Sequence, residues 1–158
     1  MRYFKEILIA GVLCVATSCS DDPLGPTATE FEYQGVTFRA RVDTDLGPQT
    51  YRIFLSAYNE SSTTVSFSVA GPCMMKPRLY RDGRLAFDGI VAFRLCPNDV
   101  FNFTLAPHDS LPGVWGSVVG PDVLGDSLPG GRYRIVAALR PEGVGGPVHE
   151  LFVRDADF

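Results

Sequence analysis

From Phe31 to the C-terminus, apolar residues recur at every second position in short runs, and no stretch carries a helical period. Phe38, Ala40 and Val42 alternate with Arg39 and Arg41. Tyr51, Ile53, Leu55 and Ala57 alternate with Arg52, Phe54 and Ser56, and Val65, Phe67 and Val69 with Ser66 and Ser68. Tyr133, Ile135, Ala137 and Leu139 alternate with Arg132, Arg134 and Val136. A two-residue period puts one set of side chains on each face of a strand, so these runs predict strands with one apolar and one wetter face. Asn59-Glu60-Ser61-Ser62 predicts a turn, and Asp82-Gly83 a hairpin, because both residues tolerate the positive φ of a tight primed turn. Phe101, Phe103 and Leu105 form a further strand closed by Pro107, Pro112 to Pro129 reads as a long loop, and Val148 to Val153 supplies the last strand. The expected fold class is all-β: an antiparallel, immunoglobulin-like β-sandwich of about seven to nine strands, with a closed barrel as the alternative.

The N-terminus obeys other rules. Basic Met1-Arg2-Tyr3-Phe4-Lys5 precedes the apolar run Ile7 to Ala16 and then Thr17-Ser18-Cys19. That is a secretion signal, and its apolar run is roughly half the twenty or so residues that span a bilayer. Small residues before a cysteine mark a lipoprotein signal, although leucine is commoner where Ala16 stands; Cys14 follows bulky Leu13 and does not fit. The expected organisation is a signal peptide over 1–18, the lipidated Cys19 with a flexible tether to residue 30, and one domain over 31–158. Acyl chains contribute about 0.8 kcal/mol per buried CH₂, so several of them, palmitate among them, hold a protein on a membrane where one would not. Ser20 directly after the cysteine favours the outer over the inner membrane, with Asp21 and Asp22 following.

Loss of Arg2, Lys5 and Glu6 would take the fourteen basic and eighteen acidic groups of the chain to twelve and seventeen. A net negative domain excludes nucleic acid as the expected partner. With Cys14 removed and Cys19 lipidated, Cys73 and Cys96 remain, and in an oxidising compartment they are expected to form a disulfide. The rival, a soft metal site using Cys73 and Cys96 with Met74, Met75 and His108, is disfavoured because adjacent methionines in an extended chain point apart. No cofactor and no metal are expected.

Catalytic candidates are few. His108-Asp109-Ser110 holds the residue types of a hydrolytic triad, but neighbours in sequence project apart and the segment reads as a turn. His149 falls in the last strand. Asp122 and Asp126 are loop acids, Tyr33, Tyr58 and Trp115 are aromatic side chains able to stack on sugars, and Gly143, Gly145 and Gly146 form a turn with no following helix. Arg39 and Arg41 would join Arg132 and Arg134 in one basic face if their strands paired. The expectation is therefore a non-enzyme.

Three stretches resemble the BsuPI-type proteinase inhibitor family: Tyr51 to Phe67 with its Asn59-Glu60-Ser61-Ser62 turn; Phe101 to Trp115, where Phe-Asn-Phe-Thr-Leu-Ala-Pro is similar to a strand ending in Leu-x-Pro; and Gly131-Arg132-Tyr133, similar to a Gly-x-Tyr strand start. His108 and the Cys73 to Cys96 region depart from the family pattern. The resemblance implies an immunoglobulin-like sandwich and a binding rather than catalytic role, with protease inhibition as its form; the alternative, apart from the resemblance, is a structural or assembly lipoprotein that docks onto a larger envelope complex. The expected partner-binding residues are Leu111, Val114 and Trp115, in the segment running to Pro129.

Overall fold

A computed structural model describes residues 26–43, 46–47, 49–71, 74–92, 99–124 and 128–158, apart from the side chains of Val114 and Asp122. The expected signal peptide, Cys19, Cys73, Cys96 and Asp126 lie outside these residues. The fold is all-β and antiparallel, with ten strands among the described residues where seven to nine were expected. They are β1 Glu30–Tyr33, β2 Val36–Asp43, β3 Tyr51–Tyr58, β4 Val65–Ala70, β5 Met75–Arg81, β6 Arg84–Asp88, β7 Val100–Leu105, β8 Ser110–Val119, β9 Arg132–Leu139 and β10 His149–Asp157. Two single helical turns, α1 Gly89–Ala92 and α2 Pro121–Leu124, complete it.

One four-stranded sheet runs β1-β2-β3-β8, a second runs β10-β9-β5-β6, and β4 pairs with β7. The four-stranded sheets face each other in a sandwich-like arrangement, with β2 against β10 and β8 against β5. The alternation read from sequence sets the faces: Phe38, Ile53, Leu55, Phe67, Leu79, Ile135, Leu139 and Leu151 point into one continuous core. Phe38 meets Phe67 edge-on at 5.9 Å, and Trp115 meets Phe103 edge-on at 5.5 Å, the geometry aromatic quadrupoles favour.

The Asp82-Gly83 hairpin forms as expected, with φ of 50° and 71°. A second hairpin of the same kind, Gln34-Gly35, joins β1 to β2 with φ of 51° and 79°. Tyr133 ties a corner at the start of β9, its hydroxyl donating to the Pro129 carbonyl at 2.6 Å.

Two expectations need correction. The tether does not extend to residue 30, because the Phe152 amide of β10 donates to the Ala28 carbonyl at 2.6 Å, Arg134 Nη1 of β9 donates to the Pro26 carbonyl, and Glu30 already belongs to β1. Nor is Pro112 to Pro129 a loop throughout, because Ser110–Val119 pairs with β3 through Ser110–Leu111 and again through Trp115–Val119. Pro112 and Gly113 signal a turn locally, but at this place the ladder is irregular: Gly113 takes φ of 61° and its amide donates to Ser56 Oγ at 3.0 Å. The irregularity absorbs both residues without ending the strand.

Candidate functional site

The core residues Ile135, Ala137 and Leu139 of β9 point inward, yet Val136 and Ala138 on the opposite face are also buried. Long side chains from the flanking strands cover them. Arg78 stands beside Val136 in the register and bridges two carboxylates, bidentate to Asp88 at 2.8 and 3.0 Å and to Glu150 at 2.8 Å. Tyr80 donates its hydroxyl to the same Glu150 oxygen at 2.6 Å. The network links β5, β6 and β10 across the outer face of this sheet.

Burial alone would raise the Asp88 pKa, but hydrogen bonds from Arg78 and from the Ile90 and Val91 amides outweigh it and hold the carboxyl below its ordinary value. Burial and the Glu150 hydrogen bond push Tyr80 up to about 12. Desolvation lowers Lys76. Since the folded Asp88 pKa lies below the unfolded value of about 3.9, its contribution to stability is present above that pH and is lost as pH falls through the folded value. Acid unfolding followed by circular dichroism should show this loss, and Arg78→Met should flatten the pH dependence below about pH 4.

The residues singled out in sequence fall in separate places. His108 occupies an exposed turn between β7 and β8 with φ of 57°, and Asp109 Oδ1 accepts the Ser110 amide at 2.8 Å, so the triad-like trio is a turn. His149 stacks on Phe31 at 3.8 Å, joining β10 to β1. Tyr58 lies under Arg39, with 5.0 Å from guanidinium carbon to ring centre, and Tyr33 accepts a hydrogen bond from Gln34. Met74 and Met75 are buried in the core.

Trp115 is 3% exposed and belongs to the core, and Leu111 packs against that core from β8. The expected partner-binding cluster is thereby corrected for Trp115, which has no surface to offer, while the Val114 side chain lies outside what is described. The four-arginine basic face is also corrected: β2 and β9 belong to different sheets, Arg39 pairs with Glu30 and Glu60, and Arg132 and Arg134 both pair with Asp155. Gly143 and Gly145 adopt positive φ in the turn between β9 and β10.

The outer face of the β1-β2-β3-β8 sheet holds a constellation that sequence reading missed. Phe54 on β3 stands between Arg41 of β2 and Gly116 of β8 in the register. Its ring leans over β8, where a Cβ at Gly113 or Gly116 would meet it at 3.6 Å. The guanidinium carbons of Arg41 and Arg52 each lie 5.8 Å from the ring centre. Arg41, Val42, Asp43 and Phe54 line a shallow cleft of about 260 Å³. Only the β2 to β3 register brings these residues together, and alternation by itself does not give register.

No family model matches the chain, and no curated protein matches it. Among solved structures it is similar to a β-glucosidase from Erythrobacter marinus, at 12% identity and a TM-score of 0.34, over 75% of this chain and 15% of that one.

Proposed function

We propose that the chain is a non-catalytic binding module of the bacterial envelope, lipid-anchored at Cys19, with an immunoglobulin-like sandwich as its folded part. The observation that carries the binding reading is the employment of the groups capable of acid–base chemistry. Asp88 and Glu150 are clamped by Arg78 and His149 is stacked on Phe31, so these side chains hold strands together, and His108 sits in an exposed turn. Anchoring gains support from the docked N-terminal segment. Six residues separate Cys19 from Pro26, seven steps that reach about 25 Å at full extension, which would hold the Arg132 and Phe158 end of the domain toward the membrane. The Tyr133 corner supports the immunoglobulin-like assignment.

A Cys73–Cys96 disulfide belongs to the same reading. The Gly71 amide donates to the Asp99 carbonyl at 2.6 Å, joining the backbone two residues before one cysteine to that three residues after the other. Closing that loop stabilises the fold by about 3 kcal/mol on the chain-entropy account, so reduction, or Cys73→Ala with Cys96→Ala, is expected to lower the urea midpoint accordingly. Unchanged unfolding in reductant would remove the disulfide from the proposal.

Protease inhibition is the form of binding that the family resemblance suggests. Its test is the residual activity of serine, cysteine and metalloproteases after incubation with the oxidised protein. Stoichiometric inhibition of one enzyme, with the module itself uncut, supports it. Full activity across the panel excludes that form and leaves docking onto an envelope complex, to be sought by crosslinking in native membranes.

A further inference from the structure

We infer that the outer face of the β1-β2-β3-β8 sheet, centred on Phe54 between Arg41 and Arg52, is a docking site for an acidic segment of a partner protein. The inference rests on the binding reading but not on the lipid anchor. Arg39, Arg78, Arg132 and Arg134 all have carboxylate partners, whereas Arg41 and Arg52 have none within ion-pair distance among the described residues. Both lie within cation–π distance of one aromatic ring instead, a contact that uses none of their hydrogen-bond donors.

The two cations also differ in freedom. Asp43 stands opposite Arg52 in the β2 to β3 register and lines the same cleft, which partly offsets the Arg52 charge. Arg41 is exposed, and its Nη2 reaches across Phe54 to within 3.9 Å of the position a Gly113 Cβ would occupy. Its charge is thus carried from β2 over β3 to β8, an edge strand of the sheet. The glycines at 113 and 116 give the Phe54 ring and the Arg41 guanidinium room to lie flat over β8, so a partner carboxylate meets Arg41 from above with its side-chain methylenes on the outer face of Phe54. A cleft of about 260 Å³ takes one such side chain. Glu30 and Glu60 neutralise Arg39 on this face, but around Phe54 the two guanidinium groups outnumber the Asp43 carboxylate, so the immediate surroundings of the ring are positive and orient an acidic partner there.

The test is fluorescence anisotropy of a labelled octaglutamate peptide titrated with the full chain at low ionic strength. Saturable binding is expected, weakened about tenfold by Arg41→Gln, by a smaller factor in Arg52→Gln, and less than about twofold by Arg39→Gln, which removes the same charge from the same sheet face. Thermal melting of each variant checks that the fold is intact. Absence of saturable binding, an equal loss in Arg39→Gln, or tighter binding of a sulfated dextran fragment of matched charge would each overturn the acidic-peptide assignment. The peptide assay is indifferent to lipid at Cys19 and to protease inhibition, so its failure is distinguishable from theirs.

Discussion

Replacing Asn59 by alanine is expected to lower the folding free energy by about 3 kcal/mol, read as a shift of the urea midpoint at unchanged slope. Asn59 is 1% exposed and sits just beyond β3. Its amide nitrogen faces the carbonyls of Thr63 and Ala106 at 2.8 Å and of Leu105 at 3.2 Å. With two hydrogens for three acceptors, one bond is shared. Its Oδ1 accepts the Ser61 amide at 3.0 Å and hydroxyl at 2.7 Å. One side chain therefore satisfies the backbone of two connections, that between β3 and β4 and that between β7 and β8. Alanine would strand at least one buried carbonyl, and each such group costs about 1–3 kcal/mol. Ser61→Ala, at a less buried position, is expected to cost under about 1 kcal/mol. A loss below 1 kcal/mol in Asn59→Ala would show that water replaces these bonds freely.

Trp115→Ala is expected to cost about 3–5 kcal/mol, the range for removing a large aromatic side chain from a packed core. The indole lies opposite Leu55 in the register and packs on Phe103 at 5.5 Å and Phe38 at 5.9 Å. A tryptophan serving a partner from the surface would be replaced with little loss of stability, so this variant separates the two roles directly. Trp115 is the only tryptophan, and its emission should shift to the red on unfolding. Trp115→Phe keeps most of the apolar volume and is expected to lose less than half as much. Unfolding energies indistinguishable from wild type in Trp115→Ala would place the side chain outside the core.

These two residues mark what the sequence makes legible. Period-two alternation identifies β2, β3, β4 and β9 with their inward faces, and Asp82-Gly83 identifies the β5 to β6 turn, because both signals are local. Where a ladder is irregular, the signal fails. Leu111 and Trp115 fall in a strand interrupted by the Gly113 irregularity, so their spacing resembles a loop. In β10 the register shifts between Phe152 and Arg154, which breaks the alternation before Ala156 and hides the last four residues of the strand. Gln34 at a positive φ is an uncommon choice for a primed turn, and the hairpin it makes with Gly35 carries no sequence signature.

The candidate site was less legible than the fold, for a related reason. Arg39, Arg41, Arg132 and Arg134 stand out in sequence as a charge pattern, but their meaning depends on which strands become neighbours. With β2 and β9 in separate sheets, three of the four pair with acidic residues and only Arg41 is left beside Phe54. Phe54 itself occupies an outward position in an alternating strand, a place where a lone aromatic residue carries no chemical message until its neighbours are known. Asn59 reads as an ordinary turn former; its burial follows only from the β7 to β8 turn closing over it.

The most direct test of the lipid-anchored account is the intact mass of the protein isolated from bacterial membranes, alongside Cys19→Ala. The account predicts a chain that begins at Cys19, carries a thioether-linked diacylglycerol and an amide-linked acyl chain, and stays with the membrane fraction through a high-salt wash; the variant is expected in the soluble fraction. An unacylated chain beginning elsewhere, or a Cys19→Ala variant that remains membrane-bound, would contradict it.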